Sequence, residues 1–154
     1  MSKVGFKFGL QPARDVAAGL REQRELAVMK AEAELVRARR GLDEASAKLA
    51  EAEATLRALR QQATPTGGHA SDVRETLLLN QATEARAAVA NAQAAAEDAA
   101  AKYTLQRDGL KEDAAQVQAL DTLADQQKTA FVKEKRQREQ RELEDLLPAY
   151  FRRK

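Results

Sequence analysis

The amino-acid sequence predicts an all-α chain: two long helices folded into an antiparallel coiled-coil hairpin, with the second helix the longer. Two heptad ladders, one strong breaker between them and a helix-forming composition predict it. In the first ladder Val28, Leu35, Leu42, Leu49 and Leu56 recur at every seventh residue. Ala31, Ala38, Ala45, Ala52 and Leu59 stand three residues after each. The second runs through Ala82, Val89, Ala96, Tyr103, Leu110, Val117, Ala124 and Phe131, with Ala85, Ala92, Ala99 and Leu120 on companion positions. Apolar residues sustained on these two heptad positions form a narrow stripe that a helix buries against a second helix. Such a stripe leaves no room for a substrate cavity.

The 154 residues are enough for one domain, read here as a single hairpin, but few of them are core formers. Ala, Glu, Arg, Gln and Leu dominate, Trp is absent and only three Pro occur, a profile of long helices. The net charge is +2, with acids and bases interspersed, so global charge gives no argument for nucleic acid. Cysteine is absent, which excludes disulfides and thiol catalysis. Residues 1–10 carry no apolar signal core, and no window resembles a membrane span, so a cytoplasmic chain without membrane insertion is expected.

Residues 1–11 read as an N-terminal arm. The first helix is expected over residues 12–63, because Pro12 is tolerated in a first helical turn. Residues 64–71 form the turn: Pro65 removes a donor, Gly67-Gly68 permits reversal, and the sole histidine, His69, reads as a solvated loop residue. Asp72 with Glu75 offers a capping box, with Ser71 as a competing cap. The second helix is expected over residues 72–147, stopped by Pro148, followed by a basic tail at residues 148–154. At the ideal rise the two helices would be roughly 75 and 115 Å long.

Within the first helix, Leu10, Ala13, Ala17 and Leu20 suggest a frame offset from that of Val28 onward, hence a stutter near Arg24. Gln106, Asp113, Gln127 and Glu134 occupy companion positions of the second ladder and predict a weaker seam there. Folding about Gly67 sets Pro12 roughly opposite Thr122, so the second helix overhangs the first by about 25 residues. Only the arm can cover part of that overhang. This end carries Phe6, Phe8, Phe131, Tyr150 and Phe151, which suit either a docking surface or an end cap with Phe6 and Phe8 folded onto Phe131.

No catalytic constellation is present. One histidine cannot build a His-His or His-Cys metal cluster, and no P-loop, GxSxG or HExxH spacing occurs. The acidic pairs Glu97-Asp98 and Glu112-Asp113 are sequence neighbours, which do not share a helical face. No enzyme activity, cofactor or metal is therefore expected. The basic run at residues 133–141 is not a bZIP element, because Leu143, Leu146 and Leu147 are followed at once by Pro148. It reads as a solvated face or as a docking surface for an acidic protein groove.

The two ends together resemble one family. Phe6-Lys7-Phe8-Gly9-Leu10-Gln11-Pro12 is similar to the F-x-F-x-L-Q opening of the flagellar export protein family FliJ. Arg138-Glu139-Gln140-Arg141-Glu142-Leu143-Glu144-Asp145 is similar to its E-Q-K-E-L-D-E signature, and Phe151-Arg152-Arg153-Lys154 resembles its short Arg-rich end. Arg141 stands where Lys is usual, Glu144-Asp145 inverts the usual order, and Pro148 is expected to shorten the tail helix. The YscO-like stalk proteins of injectisomes are near relatives of the same size, and the Phe-x-Phe opening favours the flagellar branch.

The resemblance implies a soluble component of a type III export apparatus, peripheral to the inner-membrane complex. It implies a central stalk whose end with both termini enters the pore of the hexameric export ATPase, while the rod reaches the membrane export gate. A chaperone-escort role adds export chaperones to the expected partners; nucleic acid is not among them. Phe6, Phe8, Leu10, Arg136, Arg138, Arg141, Glu142, Asp145 and Phe151 are the residues expected to contact the ATPase. Two other readings compete with this one. A purely structural coiled coil would self-associate through Leu35, Leu42 and Leu49. A nucleic-acid binder would show salt-sensitive affinity centred on residues 133–141.

Overall fold

A computed structural model describes residues 5–62 and 69–152, which form two helices, α1 (Gln11–Gln62) and α2 (His69–Arg152). The expected class, an all-α helical hairpin with the longer helix second, is the one observed. Residues 1–4 of the arm, 63–68 of the turn and 153–154 of the tail lie outside the described residues.

Both ends of α2 differ from expectation. It begins at His69, so part of the anticipated turn is already helix, and Asp72 lies in the first turn, where the helix dipole favours an acid. Glu75 does not close a capping box through its side chain; its Oε1 accepts instead from Arg60 Nε at 3.1 Å. Nor does α2 stop at Leu147. Pro148 lies inside it, and residues 148–152 of the expected tail are helical. Proline removes the one N–H that would reach the Glu144 carbonyl. Residues 132–152 are exposed on every side, so water can satisfy that carbonyl.

The chain divides into two compact units, Glu25–Asp108 and Met1–Arg24 with Gly109–Lys154. In the first of these, α1 and α2 run antiparallel: Arg60 bonds Glu75, and Arg86 Nη2 donates to Glu53 Oε1 at 3.5 Å. The heptad ladders form the seam. Ala31, Leu35 and Leu56 of α1 and Ala82 and Ala99 of α2 are buried, Ala82 to 0% exposure. Alanine at many of these positions lets the two backbones approach, at the cost of apolar area in each layer. Stability is therefore spread over many small layers and over helix propensity. Leu42 and Leu49 are half-buried in the same seam. The three leucines of the self-association reading are thus engaged within the hairpin itself.

In the other unit the seam is part charged. Ala17 and Val117 are buried, while Arg14 Nε donates to Asp121 Oδ1 at 2.8 Å and Arg24 Nε to Asp113 Oδ2 at 3.1 Å. The first bond matches the expected register, which set Pro12 near Thr122. The apolar frame of Leu10, Ala13, Ala17 and Leu20 is not the buried one: Leu20 is 50% exposed, and Leu10 and Ala13 are exposed. Arg14 and Arg24 are half-buried on the seam side instead. Their aliphatic stems cover apolar surface while their guanidinium groups reach acids on α2. Asp113, expected to weaken the seam, is 19% exposed at its side chain and holds its partner there.

Gly109 lies inside α2, where glycine costs about 1 kcal/mol relative to alanine. The Arg24 side chain crosses over it. A Cβ at Gly109 would stand 2.8 Å from Arg24 Cζ and 2.9 Å from its Nε, so a methyl group there displaces the guanidinium from its route to Asp113.

Two outcomes follow from this packing. Gly109→Ala should stabilise the chain by about 1 kcal/mol in an Arg24→Ala background, and by distinctly less with Arg24 present. A thermal double-mutant cycle reads that coupling, and simple additivity would contradict the crossing. Leu35→Ala should cost about 2 kcal/mol or more in urea unfolding, whereas Leu26→Ala, on the exposed outer face, should stay within about 0.5 kcal/mol.

Candidate functional site

The unit formed by Met1–Arg24 and Gly109–Lys154 carries the expected site residues. The arm is tied down at two levels. The Gln11 N–H donates to the Phe8 carbonyl at 3.1 Å and the Arg14 N–H to the Leu10 carbonyl at 2.9 Å, which sets the arm at the start of α1. Farther out, the Phe6 ring packs on Phe131 with centroids 5.7 Å apart and planes tilted by 50°. An aromatic pair in this geometry contributes on the order of 1 kcal/mol beyond the area it buries. Phe6 and Phe8 are half-buried and Leu10 is exposed. Phe131 is the last half-buried residue of the second ladder, and the arm closes the seam there.

Beyond Phe131, α2 continues for about 30 Å with every described residue exposed. The expected site residues within it do not all share one face. At 3.6 residues per turn, Arg138, Arg141, Glu142 and Asp145 share one face, the continuation of the heptad seam. Arg136 and Phe151 lie on roughly the opposite side. The nine residues expected to form one contact surface therefore divide into three groups: an arm partly packed on Phe131, a charged face, and a pair behind it.

The sequence reading missed four residues that belong with that pair. Leu143, Leu146, Leu147 and Tyr150 stand at the i, i+3, i+4, i+7 spacing of one helical face. They are between 52 and 65% exposed. Their spacing was the available signal, masked by the expectation that Pro148 ends the helix. With α2 running to Arg152, the stripe extends to Tyr150, whose ring meets Phe151 edge-on at 6.1 Å. Among the described residues no group of three or more His, Cys, Asp or Glu could hold a metal ion, and no helix is long and apolar enough to cross a membrane. His69 is the first residue of α2.

The profile of the flagellar FliJ protein family matches residues 18–154, nearly the whole chain. The chain belongs to the FliJ family. It is thus a component of the flagellar type III export system, in a family of stalk and chaperone type rather than of known enzymes. No curated protein and no solved structure matches the chain. In this FliJ-family chain the matched stretch includes the whole overhang and leaves out the Phe6-x-Phe8 arm.

At the base of the overhang, the Arg14 hydrogen bond and charge hold Asp121 below its ordinary carboxylate range, assisted by Arg21, while partial burial opposes the shift. The hydrogen bond from Arg14 to Asp121 in turn raises the guanidinium above its usual value. A carboxylate whose folded value is depressed adds stability above its unfolded value, and that contribution is lost as pH falls through the folded one. The stability difference between the parent chain and Asp121→Asn should therefore be largest at neutral pH and shrink below about pH 4. Urea unfolding at pH 7 and pH 3 measures it, and a difference independent of pH would show the pair to be inert.

Proposed function

We propose that this chain acts as a central stalk of the flagellar export apparatus, with the arm and the α2 overhang bound in the pore of the hexameric export ATPase. The observation that carries the reading is the overhang: about 20 residues of helix beyond Phe131 with every side chain exposed. Apolar surface exposed to that extent suits a contact with something outside the hairpin. Family membership supplies the setting, a flagellar export machine.

Within this reading Arg138, Arg141, Glu142 and Asp145 meet the ring through charge. Leu143, Leu146, Leu147 and Tyr150, with Arg136 and Phe151, meet it through an apolar face on the other side. A helix that presents two unlike faces to a ring contacts its subunits unequally, which is how a stalk can bias a hexamer. Phe6, Phe8 and Leu10 brace the base of the inserted helix through Phe131. The far part of the hairpin is then free to reach the export gate, and export chaperones are further partners of the same machine. The protein works in the cytoplasm, docked at the inner-membrane complex.

ATP hydrolysis by the cognate export ATPase, with and without the purified chain, tests the reading. Stimulation or hexamer formation should be lost when residues after 133 are deleted. It should fall about tenfold or more in an Arg138→Glu/Arg141→Glu double reversal, because like charges across a partner surface are strongly unfavourable. Stimulation that survives both changes defeats the stalk assignment.

A further inference from the structure

We infer that residues 5–9 form a hinged strap, which closes on Phe131 as observed and swings open as one unit to uncover it. The inference deepens the stalk reading, on which it rests for its use alone: the closed strap braces the root of the overhang and the open strap releases it.

The strap is held only at its two ends. At the outer end the Phe6 ring packs on Phe131, with centroids 5.7 Å apart. At the inner end the Gln11 N–H closes a turn on the Phe8 carbonyl at 3.1 Å. Among the described residues, residues 5–9 make no other hydrogen bond, ion pair or ring contact. Lys7, between the two ends, is exposed, and the flanking rings are only half-buried. Ordering the arm costs backbone entropy at every residue. One aromatic contact and one hydrogen bond return little against that cost. Segments held so lightly open locally while the rest of the fold stays intact.

Glycines bracket the two rings. Neither Gly5 nor Gly9 has a positive φ, and a Cβ at either would meet nothing within 4 Å. The closed form therefore needs glycine at neither place, since the second residue of a turn at negative φ accepts most side chains. What glycine adds there is freedom in the open form, which weights the balance toward opening. The position of Phe131 gives the opening a consequence. It ends the ladder, and α2 beyond it is exposed on every side. Closed, the Phe6 ring covers Phe131 and seals the end of the seam. Open, the strap leaves Phe131 bare at the root of the overhang.

Amide hydrogen exchange on the purified full-length chain, followed by NMR, tests this, because the Gln11 N–H is bonded only while the turn is closed. Its protection should lie far below that of seam amides such as Leu35 and Ala82. Gly9→Ala should raise it about two- to fivefold, and Gly5→Ala by a similar factor, whereas Gly41→Ala, in the middle of α1, should leave it unchanged. Phe6→Ala, at the other end of the strap, should remove it while the seam amides keep theirs and helicity stays constant by circular dichroism. A Gln11 amide as protected as the seam would make the arm a fixed part of the hairpin. Protection indifferent to Phe6→Ala would make the turn a local element with no strap attached. Either result overturns the inference, as does a Gly9→Ala chain no better protected than the parent. None of these readouts involves the ATPase, so a failure of the stalk reading leaves them intact, and the reverse holds.

Discussion

Everything in this molecule depends on a seam only one side chain wide between α1 and α2. Alanine holds four of the seven positions buried among the described residues, and Ala82 has no exposed surface. A small seam brings backbones close but gives each layer little apolar area, so no single layer can hold the hairpin. The chain compensates with length and with residues that favour helix wherever packing does not decide. Among the described residues, a two-helix interface this narrow has no interior to enclose a substrate.

Where the seam cannot be apolar, it is ionic and specific. Arg24 reaches Asp113 by crossing Gly109, the one position of α2 without a side chain, and Arg14 reaches Asp121 farther along. Partly exposed pairs of this kind contribute little stability. They contribute register, because an apolar ladder of alanines can slide by a heptad at small cost, whereas an arginine bonded across a glycine fits one alignment. Polar groups on core positions are best attested in that role. Asp113 therefore marks a fixed point of the hairpin rather than a weak one.

The ladders made most of the fold legible in the sequence. Val28 to Leu59 and Ala82 to Phe131 are the half-buried and buried residues, position by position, because heptad spacing maps directly onto one helical face. The failures share a cause. Leu10, Ala13 and Leu20 looked like core because they are apolar, yet Arg14 and Arg24 bury their stems there instead. Pro148 looked like a stop because proline breaks the backbone ladder, yet one lost hydrogen bond is tolerable where water replaces it. In both places a rule about residue type was overridden by access to solvent, which a single sequence does not display. The candidate site was legible at its two ends, through Phe6, Phe8 and the charged signature, and not in its apolar stripe, which exists only if the helix passes Pro148.

The stripe and the seam follow different codes along one helix. Through Phe131, apolar residues of α2 keep heptad positions and face α1. Beyond it those positions pass to Arg138 and Asp145, while leucine and tyrosine reappear on a face turned by well over a quarter of a circle. An overhang that merely continued the hairpin would have kept its apolar residues in phase. One left over from it would have lost them altogether. The change of phase keeps the apolar stripe off the seam face, so covering the stripe would not compete with the packing of α2 on α1. Phe6 stands at the crossover, packed on the last residue of the old phase, so the arm ends the hairpin where the new phase begins. The overhang can then be covered without loosening the hairpin beneath it.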